Sequence, residues 1–165
     1  LYLNGDENYA ERLAYMLAFG IGCDVDAHRA AELYAVAIRR RLLRLTDDAR
    51  FFLDGKLREA TADNVKKLID DTILDNGIEA VDDFVSKLAL AEWKSKELYY
   101  KALKLFDDEG EICPSLIQRR LSMGYAQARA IMDRMISEGI IREKGYKGIP
   151  IVDVSKLIEE VTDEI

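Results

Sequence analysis

The sequence predicts a mostly α-helical protein: a helical region over residues 1–94 and, over residues 95–165, a winged helix-turn-helix with a small β-hairpin wing. Three observations predict it. Apolar residues recur at three- and four-residue spacing along most of the first 106 positions. Only 2 Pro and 10 Gly punctuate the 165 residues, so long stretches read as uninterrupted helix. After Phe106 the pattern changes to short helices, a glycine turn and two short apolar runs flanking Gly145-Tyr146-Lys147-Gly148.

In chain order, Tyr9 to Phe19 is a helix with Tyr9, Ala10, Leu13, Met16 and Leu17 on one face, ended by Gly20-Ile21-Gly22. Ala27 to Leu45 is a second helix, with Ala30, Leu33, Tyr34, Ala37, Ile38 and Leu42 inward. Thr46 and Asp47 cap a helix through Phe51-Phe52-Leu53 that stops at Gly55. Thr61 caps the next, with Val65, Leu68, Ile69 and Ile73 at helical spacing and Gly77 closing it. A long helix follows from about Glu79 through Phe106, with a bend and a domain boundary near Trp93-Lys94-Ser95.

Asp107 to Gly110 is then a turn, Glu111-Ile112-Cys113 a short extended piece, and Pro114 the first turn of a helix ending at Leu121. Ser122-Met123-Gly124 turns into a helix from Tyr125 to about Glu138, stopped by Gly139. Residues 140–144 and 149–153 are two strands joined by a tip at residues 145–148, and a last helix covers about Val154 to Val161. Helix, short strand, helix, turn, helix, hairpin is the winged-helix order. Its core should combine Leu98, Ala102, Leu103 and Phe106 with Ile117, Leu121, Ala128, Ile131, Met132 and Met135.

Composition bounds the function. Hydrophobic residues make up 49% and charged residues 33%, which fits a packed core with a solvated surface rather than disorder. No apolar run is long enough to cross a bilayer and no secretory signal is visible, so a cytoplasmic protein is expected. Cys23 and Cys113 lie far apart and read as small core residues. The net charge of −7 argues against nucleic acid, but its distribution argues for it. Residues 1–95 carry 13 Lys+Arg against 18 Asp+Glu, and residues 149–165 carry a net of −4. Residues 112–148 carry seven basic groups (Arg119, Arg120, Arg129, Arg134, Arg142, Lys144, Lys147) against Asp133, Glu138 and Glu143, a net of +4. A local basic patch is what phosphate binding requires.

Other features read as structural. Arg39-Arg40-Arg41 with Arg44 fits a solvated face paired with acids such as Asp47 and Asp48, with phosphate contact the alternative. His28 is the only histidine and has no ligand-spaced partner. Asp70-Asp71 and Asp82-Asp83 are neighbours on helices, where consecutive side chains point apart. Trp93 and Tyr99-Tyr100 fit a domain-junction core better than a base-stacking platform. Without a glycine-bracketed loop or convergent His no metal site is expected; no nucleophile stands beside a base, so no catalysis is expected, nor a cofactor.

The segment Ser115-Leu116-Ile117-Gln118-Arg119-Arg120-Leu121-Ser122-Met123-Gly124-Tyr125, its continuation from Ala128 to Ile141, and Gly145 to Gly148 carry a resemblance. Residues from about 97 to 153 resemble the γ domain of the FtsK/SpoIIIE DNA translocases, whose pattern is S-x-[VI]-Q-R-x-[LF]-x-[IM]-G-Y followed by A-x-x-[IL]-[IM]-[DE]-x-M-x-x-x-G-I-[VI]. The resemblance implies a winged helix that binds short G-rich, orientation-marking sites in bacterial double-stranded DNA and contacts the XerD recombinase. On this reading the helix from Tyr125 enters the major groove, and Gln118, Arg119 and Arg120 approach phosphates. The DNA-binding residues it implies are Ser115, Gln118, Arg119, Arg120, Ser122, Tyr125, Ala126, Gln127, Arg129, Lys144 and Lys147. A nucleoid-associated location follows from the same reading.

The chain departs from the family just after Gly-Tyr. The translocases usually carry Asn-Arg-Ala-Ala-Arg there, and this chain has Ala126-Gln127-Ala128-Arg129-Ala130. Arg–guanine pairing is the commonest direct readout, so an altered site preference is expected. No G-x-x-x-x-G-K-[ST] occurs, so this chain alone carries no P-loop motor.

Ala10, Leu13, Ala14, Met16, Gly20, Gly22, Asp26, Arg29, Ala30, Tyr34 and Ala37 fall at the spacing of a Sel1-like repeat, and residues 10–37 resemble one. Such repeats usually bind proteins, which implies a protein partner for the N-terminal helices. An ordinary helical hairpin is the plainer reading. Two functions therefore stand: a non-enzymatic double-stranded DNA binder, or a protein-interaction module using both parts of the chain.

Overall fold

The computed structural model describes residues 8–164. It is mostly α with one two-stranded antiparallel sheet. The chain divides into two compact units. One contains the residues up to Leu45 and Leu53–Ala91; the other contains Thr46–Phe52 and everything from Glu92 onward.

Among the described residues, the first unit holds helices and no strand. Helices α1 (Tyr9–Phe19) and α2 (Ala27–Arg44) form an antiparallel hairpin. Its turn needs glycine: Gly20 caps α1 at φ 69°, and a Cβ there would lie 2.9 Å from Val25 Cγ2. Asp26 starts α2 by accepting the Arg29 backbone N–H at 3.0 Å. The inward face of α2 is the one expected, Ala30, Leu33, Tyr34, Ala37, Ile38 and Leu42. That of α1 is rotated. Ala10, Ala14, Leu17 and Ala18 are buried and Met16 is exposed, because small alanines let the two helices approach closely. The Tyr34 hydroxyl donates to Asp82 Oδ1 at 3.0 Å, and burial followed by that carboxylate pushes the phenol far above its ordinary range. Arg41 forms a two-point ion pair with Glu11, both largely buried. The short helix α4 (Gly55–Arg58) begins at Gly55, where a stop was expected. Asn64, not Thr61, is the N-cap residue of α5 (Val65–Asn76), and its Oδ1 accepts the Thr61 N–H at 2.7 Å. Cys23 is exposed rather than a core residue, and so is His28, which sits 3.7 Å from Glu32.

Helix α6 (Ile78–Glu109) is longer than expected at its C-terminal end. It runs without interruption through Trp93-Lys94-Ser95 and on through Asp107-Asp108-Glu109, which were expected as a turn; Gly110 at φ 76° ends it. Trp93 is 58% exposed and takes no part in a core.

The second unit is the winged helix. From α6 it takes Tyr99, Ala102, Leu103 and Phe106 as its central ridge. Helices α7 (Pro114–Leu121) and α8 (Tyr125–Ser137) cover that ridge with Ile117, Ala128, Ile131, Met132 and Met135. Strands β1 (Ile141–Lys144) and β2 (Lys147–Pro150) pair from Ile141↔Pro150 to Lys144↔Lys147. The hairpin tip is therefore only Gly145-Tyr146, two residues tighter than expected. Gly145 sits at φ 67° and Tyr146 does not share a positive φ, as in a two-residue turn with glycine at its first central position. Gly148, expected in the tip, is a buried strand residue that exchanges both backbone hydrogen bonds with Ile112. Helix α9 (Val154–Glu164) closes the core with Val154, Leu157 and Ile158.

This unit also takes in a segment from the first half of the chain. Thr46–Phe52, with the single-turn α3 (Asp47–Arg50), packs on α8. Asp48, expected on a solvated face, is 2% exposed. Its Oδ2 accepts from the Ser95 hydroxyl at 2.6 Å and lies 3.4 Å from an Arg134 terminal nitrogen.

Candidate nucleic-acid interface

The helix-turn-helix is set by one residue of unusual conformation. Ser122 ends α7 at φ 54°, the one non-glycine positive φ among the described residues. A single left-handed step at a non-glycine residue costs about 1–2 kcal/mol. It reverses the chain so that Gly124 can serve as N-cap of α8 at φ −71°. Nothing lies within 4 Å of where a Gly124 Cβ would stand, so neither conformation nor packing inside the chain requires glycine there.

The eleven residues expected at a DNA surface fall into three groups. Ser115, Arg119, Ser122, Tyr125, Ala126 and Lys144 are exposed, as is Arg142. Arg119, Arg142 and Lys144 carry no ion pair among the described residues. Side chains alternate along a strand, so Arg142 and Lys144 share the face of β1 opposite to buried Ile141. The second group is basic but already engaged. Arg120 pairs with Glu109 at 3.0 Å, and Lys147 with Glu111 at 2.7 Å. Arg129 pairs with Asp133 at 2.8 Å and with Glu143 at 2.5 Å. The Glu143 hydrogen bond holds the Arg129 guanidinium above its ordinary range, and the Glu111 hydrogen bond does the same for Lys147. The third group, Gln118 and Gln127, is half-buried. Gln127 lines a small cavity with Leu98, Leu121, Ser122 and Met123. The outward face of α8 is instead Tyr125, Ala126, Arg129 and Asp133, spaced at three to four residues.

Arg134, counted in the basic segment, is half-buried and already engaged. It is anchored by Asp48 and Glu138 and stacked on Tyr99. The count of +4 over residues 112–148 also stopped just short of Glu109 and Glu111, the carboxylates that hold Arg120 and Lys147. The site is consequently less basic than its sequence window.

Comparison with known proteins locates the similarity on this unit. Residues 94–148 match the family described as the Ftsk gamma domain. The chain is 34% identical over 64 residues to a DNA translocase FtsK of Clostridium tetani, covering 39% of this chain and 9% of that protein. It is 35% identical over 66 residues to a DNA translocase FtsK of Clostridium acetobutylicum, covering 40% of this chain and 9% of that protein. The chain thus spans about a tenth of the length of these relatives. No solved structure matches it. Among the described residues, no helix is long and apolar enough to cross a membrane.

Proposed function

We propose that this chain binds double-stranded DNA without catalysing a reaction on it, using α7, α8 and the wing. The observation that carries the reading is the γ-domain match over residues 94–148, which falls on a complete helix-turn-helix and wing. Arg119, Arg142 and Lys144 are exposed and uncommitted on these elements, and each can neutralise a phosphate. Helix α8 enters the major groove with Tyr125, Ala126 and Arg129 leading, and Arg119 holds the backbone from the preceding helix. Gly124 adds support: with no internal reason to be glycine, it is suited to a close approach by a DNA backbone. The site preference differs from that of the translocases, because Ala126, Gln127 and Ala130 stand where they carry Asn, Arg and Arg. Such a protein works in the cytoplasm, at the nucleoid. Titrating labelled duplex at several salt concentrations tests the proposal; affinity must fall steeply with salt.

A second reading rests on the first unit. Tyr15, Met16, Ile21 and Val25 are exposed around the turn of the α1–α2 hairpin, whose spacing resembles a Sel1-like repeat. In this reading the hairpin binds a protein partner through that apolar edge. A chain that fails to bind duplex at low salt leaves this reading in place.

A further inference from the structure

The outward face of α8 carries one basic side chain, and it is not free. Arg129 sits between Tyr125 and Asp133 on the helix surface, where a groove-entering helix would present its reading group. One of its terminal nitrogens donates to Glu143 Oε1 at 2.5 Å and forms an ion pair with Asp133 Oδ1 at 2.8 Å. The two carboxylates differ in origin. Asp133 lies one turn along the same helix, so it moves with Arg129. Glu143 lies on β1 of the wing, so its bond ties the wing to the reading helix. Glu143 stands on the same face of β1 as Ile141, whereas Arg142 and Lys144 point the other way.

This arrangement has an electrostatic consequence. A phosphate or a guanine edge arriving at α8 meets a guanidinium that is already neutralised twice. To engage that nitrogen of Arg129 it must displace a carboxylate, and that carboxylate then lies beside DNA, where it repels. We propose that Glu143 is a latch on Arg129: it sets the affinity and the preference of the DNA site by competing with DNA for the same guanidinium. The inference rests on the DNA-binding reading and adds a named competitor to it. In the complex, DNA takes the place of Glu143 on Arg129, while Asp133 keeps the side chain extended across the helix face.

The test is a two-by-two set in the full chain: wild type, Glu143→Gln, Arg129→Ala, and both together. Both sites of change are on the surface, and circular dichroism and a melting curve establish that each variant folds. Each is titrated with duplex DNA across a salt series. Exposed ion pairs are worth roughly 0.2–1 kcal/mol, so Glu143→Gln should tighten binding about 1.4- to fivefold. Adding Arg129→Ala to Glu143→Gln should reverse that gain and shallow the salt slope by about one phosphate contact. The latch is overturned if Glu143→Gln binds like wild type. It is equally overturned if the double variant binds as tightly as Glu143→Gln alone, since Glu143 would then act by bulk repulsion. In both cases wild-type binding remains and the DNA-binding reading survives. If wild type does not bind duplex at low salt, the DNA-binding reading itself fails and the latch with it.

Discussion

The guanidinium of Arg134 lies 3.9 Å from the centre of the Tyr99 ring, and both side chains reach the same carboxylate: Arg134 Nε donates to Glu138 Oε1 at 3.0 Å and the Tyr99 hydroxyl to Oε2 at 2.7 Å. Asp48 completes the arrangement from a segment 47 residues before Ser95, which donates to it. Polar groups thus bind the segment to the winged helix alongside buried Ala49. Removing the carboxylate takes the shortest partner from the Ser95 hydroxyl and one partner from Arg134. Asp48→Ala is expected to lower stability by about 1–3 kcal/mol, whereas exposed Asp70→Ala should stay within about 0.5 kcal/mol. Urea denaturation of the full chain checks both; equal midpoints for the two variants would refute the account.

Two buried phenols make stability fall at high pH. Tyr99 is pushed far above the ordinary phenol range by burial and then by Glu138, as Tyr34 is by burial and then by Asp82. Both folded values exceed the unfolded value of about 10, so the unfolded chain loses these protons first. The stabilisation is complete below about pH 10 and is lost as pH rises from there. The urea midpoint should hold between about pH 8 and 9 and drop by about pH 11, and Tyr34→Phe with Tyr99→Phe should flatten that drop. An unchanged drop in the double variant would assign it to other groups.

Gly148 should not tolerate a methyl group. A Cβ there would lie 2.6 Å from Ile141 Cδ1, 3.1 Å from Ile112 Cγ2 and 3.3 Å from Met132 Cε. These side chains are buried, so relief requires repacking the junction of wing and helices. Gly148→Ala should cost about 1–3 kcal/mol. A thermal melt matching wild type would show that the junction is looser than described.

Gly124 should behave in the opposite way. Ser is a better N-cap than Gly, the backbone is at φ −71°, and nothing lies within 4 Å of the new Cβ. Gly124→Ser is expected to melt at or above the wild-type temperature and yet to bind duplex DNA more weakly. Weaker binding accompanied by a lower melting temperature would remove Gly124 from the interface argument.

Much of the fold was legible because its helices are regular. The inward face of α2 could be read from the spacing of Ala30 to Leu42, and Ser122 to Gly124 from the turn residues. The failures have physical causes. Met16 has the right spacing for a core position, but close packing of alanines rotates α1 and leaves it exposed. Gly148 looked like a tip residue because sequence shows a glycine's freedom and not the crowding that demands it. Asp48 looked solvated because its partners, Ser95 and Arg134, are 47 and 86 residues away. The candidate site was legible as a stretch of elements and as exposed cations at Arg119 and Lys144, whereas Arg142, counted only in the basic segment, joins them by its place on β1. It was not legible as a charge balance, because Arg120, Arg129 and Lys147 are neutralised by carboxylates that only the fold brings near.

The most direct test of the central claim is the salt dependence of duplex binding by the full chain and by its Arg119→Ala variant. Arg119 is exposed on α7, outside every ion pair of the described residues, and in the proposed interface it holds a phosphate. For wild type, the logarithm of affinity should fall linearly with the logarithm of salt concentration. Arg119→Ala should weaken binding about equally on unrelated sequences and shallow the slope by about 1. Absence of salt-sensitive binding by the wild-type chain at low ionic strength would contradict the account.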